Sequence, residues 1–316
     1  MTRSGGVSIH ATSSRREAPV STTYRGLRIY ECPPNGQGLA ALLALNILEG
    51  FDLASLSPIS AQRLHLEIEA MRLAFADVRW YVCDPAFQPA PLEDLLSKEY
   101  AQDRRKLIDP QRATLDQVYG TPTSSSGTVY FSVVDSDGNA CSFINSNYMG
   151  FGTGIVPQGW GFTLQNRGHN FSLDTEHPNA LAPGKRPYHT IVPSMATRES
   201  DGSLYASFGV MGGFMQPQGH MQVFTSMVDD ACDPQAALDL PRFCILDGTA
   251  AGKVAIEEGS ASETLEELAA RGHPVIKLEG MERAVFGRGQ IIYRDNDSGV
   301  MWAGSDPRAD GLAMSL

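Results

Sequence analysis

The chain has 316 residues, of which 42% are hydrophobic and 19% are charged, and its formal net charge is -11. This composition is typical of a globular protein that can bury a core, and the acidity argues against a nucleic-acid binder, which needs a basic patch. The five cysteines lack C-x-x-C spacing, so neither a disulfide framework nor a zinc site is predicted, and small molecules are the expected partners.

The amino terminus carries no obvious targeting segment. It lacks an apolar run of the ~7 to 15 residues that a secretory signal needs, and no stretch approaches the ~18 residues needed to cross a bilayer. We therefore expect a soluble, unsecreted protein without a membrane segment, and the sparse cysteines favour the cytoplasm. Residues 1–20 contain few apolar positions and predict a disordered tail, with order beginning near Tyr24.

Two helices are predicted before residue 90. Residues 37–49 form a mostly apolar run that Gly50 ends. A second helix begins after the N-cap residue Ser60 and stops before Asp84-Pro85. Its apolar residues fall on one face, at Leu64, Ile68, Met71, Phe75 and Val78. Both helices need a sheet against which to bury their apolar faces.

A β-hairpin is predicted in the middle of the chain. Residues 128–135 and 140–145 are rich in β-forming side chains and flank the turn sequence Ser136-Asp-Gly-Asn139. Alternation along the first strand places Thr128, Tyr130, Ser132 and Val134 on one face and the intervening residues on the other.

The rest of the chain mixes strands and helices. Strands are predicted at residues 191–196, 204–210, 254–256, 275–278 and 290–293. Helices are predicted at 219–229 and at 261–271, the latter with a capping box formed by Ser260 and Glu263. The order of elements indicates an α+β fold rather than a doubly wound sheet.

Thr128 is the candidate nucleophile. It follows Gly127, which has no side chain, and the small polar residues 121–126, which predict an exposed loop that could be cut. Scission between Gly127 and Thr128 would leave the threonine with a hydroxyl and a free α-amine, whose ordinary pKa of ~7.7 to 8.0 suits a base at neutral pH. On this segment alone, a threonine that simply opens a strand is the commoner interpretation.

Four further blocks follow in order, at residues 147–156, 178–187, 211–213 and 304–308. Together with Gly127-Thr128 they resemble the γ-glutamyltransferase (γ-glutamyltranspeptidase, glutathione hydrolase) family of N-terminal nucleophile hydrolases, over about Tyr24 to Gly311. The resemblance implies a four-layer αββα sandwich that is incomplete at its N-terminal side, because relatives carry a longer segment before the position matching Tyr24. Residues 21–127 would correspond to the end of the large subunit and residues 128–316 to the small catalytic subunit of one fold.

The resemblance also assigns roles to residues around Thr128. Ser146 stands where a hydroxyl assists the nucleophile. Gly212 and Gly213 match paired glycines whose backbone N–H groups face the developing oxyanion, where a side chain would block close approach. A plain glycine turn is the alternative for this pair. Asp306 and Arg308, in the last block, would close the C-terminal segment.

The expected substrate pocket departs from the family pattern. Asn170 replaces a carboxylate that holds the substrate's α-ammonium, and Arg167 replaces a side-chain amide three residues earlier. Tyr148, His189 and Thr190 occupy further substrate positions. A cation where an ammonium should bind is a mismatch, so Arg167 with His189 indicates an anionic, dicarboxylate-derived acyl group, as in the relatives that resemble cephalosporin acylases.

A structural role for Arg167 is the alternative, in which it pairs with a neighbouring carboxylate such as Asp174. The glycines of residues 150–154 lack G-x-G-x-x-G spacing, and the seven histidines form no metal-binding motif. Neither a cofactor nor a metal is therefore predicted.

Two functions remain open. The first is an autoprocessing threonine amidohydrolase or acyltransferase that cleaves a γ-glutamyl or related dicarboxyl-type amide through an acyl-enzyme on Thr128. The second is a catalytically inactive, truncated paralogue that acts only by association, with itself or with a full-length relative, because the missing upstream segment would leave apolar faces exposed.

Overall fold

A computed structural model describes residues 15–115 and 128–315. Gly127 and the predicted loop at 121–126 lie outside the described residues, as does most of the predicted tail. The first described part contains β1 (Val20–Tyr24), β2 (Leu27–Glu31), α1 (Leu39–Leu48), α2 (Ala61–Tyr81), α3 (Leu92–Leu95) and α4 (Lys98–Arg105).

The second part contains the remaining elements. They are β3 (Thr128–Val134), β4 (Ala140–Ser146), β5 (Ser194–Arg198), β6 (Leu204–Met211), α5 (Met215–Val228), α6 (Pro234–Asp239), β7 (Phe243–Ile245), β8 (Val254–Glu257), α7 (Ser262–Ala270), β9 (Val275–Leu278), β10 (Arg288–Arg294) and β11 (Met301–Ser305). The α+β content agrees with the mixed order predicted from the sequence.

The strands of the described residues form three sheets. A six-stranded antiparallel sheet has the order β1-β2-β5-β6-β10-β11, so the two parts of the chain share it through the β2–β5 pairing. The strands β3 and β4 form the predicted hairpin, and β7, β8 and β9 form a small third sheet.

Strand β6 shows how the layers stack. Phe208 stacks on Phe224 of α5 with ring centroids 5.4 Å apart, so this face of β6 meets the helices. The opposite face meets the hairpin, because the Oγ atoms of Ser207 and Ser132 lie 2.9 Å apart. Since side chains alternate across a strand, the large sheet lies between a helical layer and the β3–β4 hairpin.

The principal predicted elements are confirmed. Every residue of α1 is buried, as its continuous apolar run requires. Helix α2 begins after Ser60, whose Oγ accepts the N–H of Arg63 at 3.3 Å. In β3, Thr128 and Tyr130 are buried whereas Val129, Phe131 and Val133 are exposed, which matches the predicted alternation.

Several boundaries predicted from the sequence are wrong. Helix α5 starts at Met215, four residues before the predicted start at residue 219. Pro217 is compatible with this start because it lies in the first turn, where a backbone N–H has no acceptor within the helix. The capping box is absent, since Ala261 is the N-cap of α7 and no side chain caps it. Strand β5 covers residues 194–198 rather than 191–196.

Order begins before Tyr24, with β1 at Val20. The β1–β2 hairpin was not predicted from the sequence; its strands pair from Val20 opposite Glu31 to Tyr24 opposite Leu27. Its two-residue turn has positive φ at both Arg25 (50°) and Gly26 (80°), the backbone that a tight hairpin favours. Within residues 15–115 and 128–315, no helix has both the length and the apolarity needed to cross a membrane.

Candidate active site

Thr128 and Ser146 face each other across the β3–β4 hairpin. They are directly paired in the antiparallel register, at the open end of the two strands. The Thr128 hydroxyl donates a hydrogen bond to Ser146 Oγ at 3.0 Å, and the N–H of Tyr148 donates to the same oxygen at 2.9 Å. Tyr148 adopts a positive φ of 78°, which is uncommon for a residue with a bulky side chain. The chain after β4 therefore turns back to hold Ser146 beside Thr128.

The glycine pair lies in the turn between β6 and α5. Gly212 and Gly213 have φ values of 141° and 61°, and a Cβ on Gly212 would come within 3.2 Å of the Gly287 Cα. Neither of their N–H groups donates a hydrogen bond to an acceptor in the described part of the chain. The turn therefore offers two backbone donors of the kind that stabilise an oxyanion.

The packing of β3 on β6 directs the Thr128 end of β3 towards this turn. Ser132 contacts Ser207, and Tyr130, two residues earlier, lies against Gly209, two residues later. Continuing this register by two more residues places Thr128 level with Met211, the last residue of β6 and the neighbour of Gly212.

Gln37 joins this group of residues, although the sequence did not predict it. Its buried side-chain Nε2 donates to the carbonyl oxygens of Thr190 and Gly213, each at 2.8 Å. Its Oε1 accepts the hydroxyl of Tyr188 at 3.2 Å. Gln37 thus ties the glycine turn to the segment that contains Thr190. The sequence offered one indication of this role, because an amide side chain next to a buried, apolar helix is itself buried and needs hydrogen-bond partners.

Arg167 is buried beside the nucleophile pair. It is 2% exposed, its Nη1 donates to Thr190 Oγ1 at 2.7 Å, and its Nη2 lies 3.4 Å from the Ser146 carbonyl oxygen. Its guanidinium also stands 5.3 Å from the centre of the Tyr148 ring. Burial lowers the pKa of Arg167 to about 10, partly offset by Tyr148, so the guanidinium remains charged at neutral pH.

Asp174 is not an ion-pair partner of Arg167. Among the described residues, no carboxylate lies within ion-pairing distance of the guanidinium. Asp174 is exposed, and its carboxylate accepts the backbone N–H of Glu176 at 3.0 Å.

Asn170 and Tyr148 bind each other. The Tyr148 hydroxyl donates to Asn170 Oδ1 at 2.8 Å, and Asn170 Nδ2 donates to the Tyr188 carbonyl at 3.0 Å. Both oxygen and nitrogen of the amide therefore have partners. This position, where the family pattern has a carboxylate, carries no charge.

His189 contributes no positive charge. Burial, together with the nearby cations Arg167 and Arg186, lowers the pKa of His189 to about 3. Its Nδ1 accepts the N–H of Ile191 at 3.3 Å, so the proton of the neutral ring lies on Nε2. His189 is therefore a neutral donor, and Arg167 is the cation of this group.

The final sequence block closes the C-terminal segment with buried ion pairs. Arg308 pairs with Glu257 at 2.6 Å and with Asp306 at 3.0 Å, and Arg242 pairs with Asp306 at 2.8 Å. Asp306 also accepts the N–H of Gly289 at 2.7 Å. In the described residues, no group of three His, Cys, Asp or Glu side chains is placed to hold a metal ion.

A threonine that opens a strand packed on one face of a β-sheet, with helices on the other face of that sheet, is the arrangement of N-terminal nucleophile hydrolases. Within that class, the family model for gamma-glutamyltranspeptidase matches residues 10–316, so the chain belongs to this family.

The chain is similar to relatives that carry different names. The chain is 37% identical over 303 residues to the glutathione hydrolase-like YwrD proenzyme of Bacillus subtilis, covering 95% of this chain and 56% of that protein. It is 33% identical over 307 residues to the oxamate amidohydrolase proenzyme of Klebsiella pneumoniae, covering 96% of this chain and 56% of that protein. The crystal structure of cephalosporin acylase from Bacillus halodurans superimposes with a TM-score of 0.84 and 48% identity, over 93% of this chain and 52% of the acylase chain. The chain thus spans about half the length of these relatives.

Proposed function

We propose that the chain is an autoprocessing threonine amidohydrolase or acyltransferase with Thr128 as its nucleophile. The observation that carries this proposal is the hydrogen bond from the Thr128 hydroxyl to Ser146, 3.0 Å long. A nucleophile, an assisting hydroxyl and two backbone donors are the groups that acyl transfer requires.

Self-cleavage would create the catalyst. Thr128 Oγ1 attacks the Gly127 carbonyl carbon, the C–N bond breaks, and the released α-amine of Thr128 takes up the hydroxyl proton. Water then opens the ester, leaving a carboxylate on Gly127. In turnover the α-amine accepts the hydroxyl proton, the substrate amide loses its amine, and water or another amine releases the acyl group from Thr128.

The substrate in this proposal is a γ-glutamyl or related dicarboxyl-type amide. Support comes from the buried cation Arg167 beside Ser146, with Tyr148, Asn170, His189 and Thr190 around it. Two relatives are named as an oxamate amidohydrolase and a cephalosporin acylase, and these names agree with the cleavage of an acyl group.

Intact-mass measurement of freshly purified protein tests the proposal. The wild type should give two fragments, residues 1–127 and 128–316, and two bands on a denaturing gel. Thr128→Ala should stay whole because it lacks the attacking oxygen, whereas Thr128→Ser should still be cut. A wild type that stays in one piece during prolonged incubation at neutral pH would contradict the proposal.

The rival function is association without catalysis, and one surface favours it. The outer face of the hairpin exposes Val129 by 64%, Phe131 by 45%, Val133 by 51% and Phe143 by 45%. The rings of Phe131 and Phe143 stack on it with centroids 4.8 Å apart. In a complete αββα sandwich, which we propose for the full assembly, a further layer would cover this face. A chain that stays uncut and inactive but forms a dimer, or binds a full-length relative, would favour this rival function.

A further inference from the structure

We propose that Gln37 is a positioning residue of the reaction, whose buried side-chain amide holds the Gly212-Gly213 turn in the shape that stabilises an oxyanion. This role depends on the proposed function, with Thr128 as the nucleophile and the glycine turn as the oxyanion site. It gives the part of the chain before the proposed cleavage site a share in catalysis.

The turn between β6 and α5 needs support from outside, because glycine has the least restricted backbone. The Gly212 carbonyl accepts the N–H of Met215 at 3.0 Å. Since a peptide unit is planar, this contact holds the plane that carries the Gly213 N–H. The next peptide plane starts with the Gly213 carbonyl, and its contact within the turn, with the N–H of Gln216, is longer at 3.2 Å.

Gln37 supplies the support for this second peptide plane. Its Nε2 donates to the Gly213 carbonyl at 2.8 Å, closer than the N–H of Gln216. With the peptide planes on both sides of Gly213 held at their carbonyls, its N–H points in one direction. An oxyanion donor stabilises the transition state most when it is in place before the charge develops. The Gln37 contact therefore preorganises the donor.

The orientation of the Gln37 amide is itself fixed. Both N–H donors of the amide have acceptors, the carbonyls of Thr190 and Gly213, each at 2.8 Å from Nε2. The Tyr188 hydroxyl donates to Oε1 at 3.2 Å. A flipped amide would turn its oxygen towards two carbonyl oxygens, which only accept hydrogen bonds. Because Gln37 is 0% exposed, bulk water would not replace the lost contacts.

The backbone of Gln37 is anchored to the segment around His189. The Gln37 N–H donates to the His189 carbonyl at 2.9 Å, and the His189 N–H donates to the Asn35 carbonyl at 2.8 Å. The Asn35 side chain donates to the Pro187 carbonyl at 2.6 Å. The Gln37 carbonyl accepts the N–H of Ala40 at 2.9 Å, at the start of α1. The side-chain amide therefore extends from a backbone that is held on both sides.

This contact joins the two fragments that self-cleavage would produce. Gln37 belongs to residues 1–127, whereas Gly213 belongs to residues 128–316, 176 residues further along the chain. The strands β2 and β5 pair across the same two parts and would keep the fragments together in one sheet. The first fragment thus shapes the oxyanion turn of the second, and the site is complete only when both are present.

Gln37→Met tests this role, because methionine has a similar length and volume but no amide. Acylation and deacylation of Thr128 both pass through an oxyanion, so kcat should fall by about 10- to 100-fold whichever step is slow. KM should change little, because the oxyanion is absent from the bound substrate. The substrates are glutaryl and γ-glutamyl p-nitroanilide, and intact mass confirms that the protein measured has been cut.

Gln222→Met is the matched control. Gln222 is also buried, its Nε2 donates to the carbonyls of Gln218 and Phe243, each at 3.1 Å, and its Oε1 accepts the Phe243 N–H at 2.9 Å. These contacts join α5 to β7 rather than to the glycine turn. Both variants should lower the free energy of unfolding in urea by similar amounts, because both lose buried hydrogen bonds. Gln222→Met should keep kcat within a few-fold of the wild type.

Self-cleavage gives a second measurement, because the Gly127 carbonyl also becomes an oxyanion when Thr128 attacks it. Gln37→Met should therefore be cut more slowly than Gln222→Met in time-resolved intact mass. If Gln37→Met does not fold, Tyr188→Phe replaces it, since removing the hydroxyl frees the Gln37 amide to rotate. Tyr188→Phe should lower kcat several-fold at nearly constant KM, and a wild-type kcat would contradict the role of Gln37.

The outcomes distinguish positioning from a structural role and from failure of the proposed function. Equal losses of kcat in Gln37→Met and Gln222→Met would show that Gln37 only stabilises the fold. A higher KM with unchanged kcat in Gln37→Met would place Gln37 in substrate binding and overturn its role in the turn. A wild type that neither cuts itself nor hydrolyses either anilide would overturn the proposed function itself.

Discussion

The ring of Tyr130 occupies the space that a side chain at Gly209 would need. A Cβ on Gly209 would lie 2.5 Å from the Tyr130 ring. The Tyr130 hydroxyl is itself hydrogen-bonded to Ser132 at 2.5 Å and to Ser142 at 2.7 Å. Tyr130 is thus held from both ends, and it lies two residues after Thr128 on the same face of β3. The separation of β3 from β6 depends on this contact.

Gly209→Ala should displace β3 and slow self-cleavage. The added methyl overpacks the contact with Tyr130, at a cost of about 1–3 kcal/mol in the free energy of unfolding. The control is Gly26→Ala, which meets no atom within 4 Å but strains a φ of 80°, at a cost of about 1–2 kcal/mol. Urea unfolding and time-resolved intact mass should show similar destabilisation but slower cleavage only for Gly209→Ala. Equal cleavage rates would contradict the positioning role of this contact.

Ser146→Ala should slow both self-cleavage and substrate turnover. The Thr128 hydroxyl would lose its contact with Ser146, and the N–H of Tyr148 would lose its acceptor. Loss of an acceptor by a buried donor costs about 1–3 kcal/mol, or roughly 10- to 100-fold in rate. Ser146→Thr keeps the hydroxyl and should remain within a few-fold of the wild type. Cleavage half-times from gel densitometry measure the difference, and an Ala variant as fast as the Thr variant would show that Ser146 does not assist.

Local patterns made the site strand and the main helices predictable. The alternation in β3 and the turn after it indicated which face Thr128 would take, and the Ser60 cap located α2, because these signals involve residues close in sequence. The partner of Thr128 was identified through the family resemblance. The hairpin register then places Ser146 opposite it.

Contacts between distant residues were not predictable. The amide of Gln37 reaches Thr190 and Gly213, 153 and 176 residues further along the chain, and no local pattern encodes such a contact. The Ser260–Glu263 capping box failed for a related reason, since the backbone of α7 starts one residue later and places Ala261 at the N-cap. Local rules predict an element better than its first residue.

Asp306→Asn should destabilise the protein at neutral pH. The substitution leaves Arg242, which is buried, without its carboxylate, and breaking a buried ion pair costs about 3–5 kcal/mol. Asp103→Asn is the control, because its pair with Lys106 is exposed and contributes less than about 1 kcal/mol. Urea unfolding at pH 7 measures both. A cost for Asp306→Asn no larger than that of the control would show that the cluster is not structural.

The same cluster should make stability fall in acid. Burial acts to raise the pKa of both Asp306 and Glu257. For Asp306 the positive charges of Arg242 and Arg308 outweigh this effect of burial, and for Glu257 the hydrogen bonds from Arg308 outweigh it. Both pKa values therefore lie below their usual range. Their stabilisation is complete above the unfolded pKa values of ~3.9 and ~4.3 and is lost as pH falls through the lower folded values. The free energy of unfolding should therefore drop below about pH 4, and less steeply in Asp306→Asn.

The pH profile of turnover should show one rising limb, set by the α-amine of Thr128. The amine must be unprotonated to act as a base, so the inflection of kcat/KM should lie near the ordinary pKa of an α-amine, ~7.7 to 8.0. His189, with its pKa lowered to about 3, stays neutral throughout and should add no inflection near 6.5. The measurement is kcat/KM from pH 5 to 9 for the wild type and His189→Gln. An inflection near 6.5 that disappears in His189→Gln would assign the base to the histidine and contradict the role of the threonine amine.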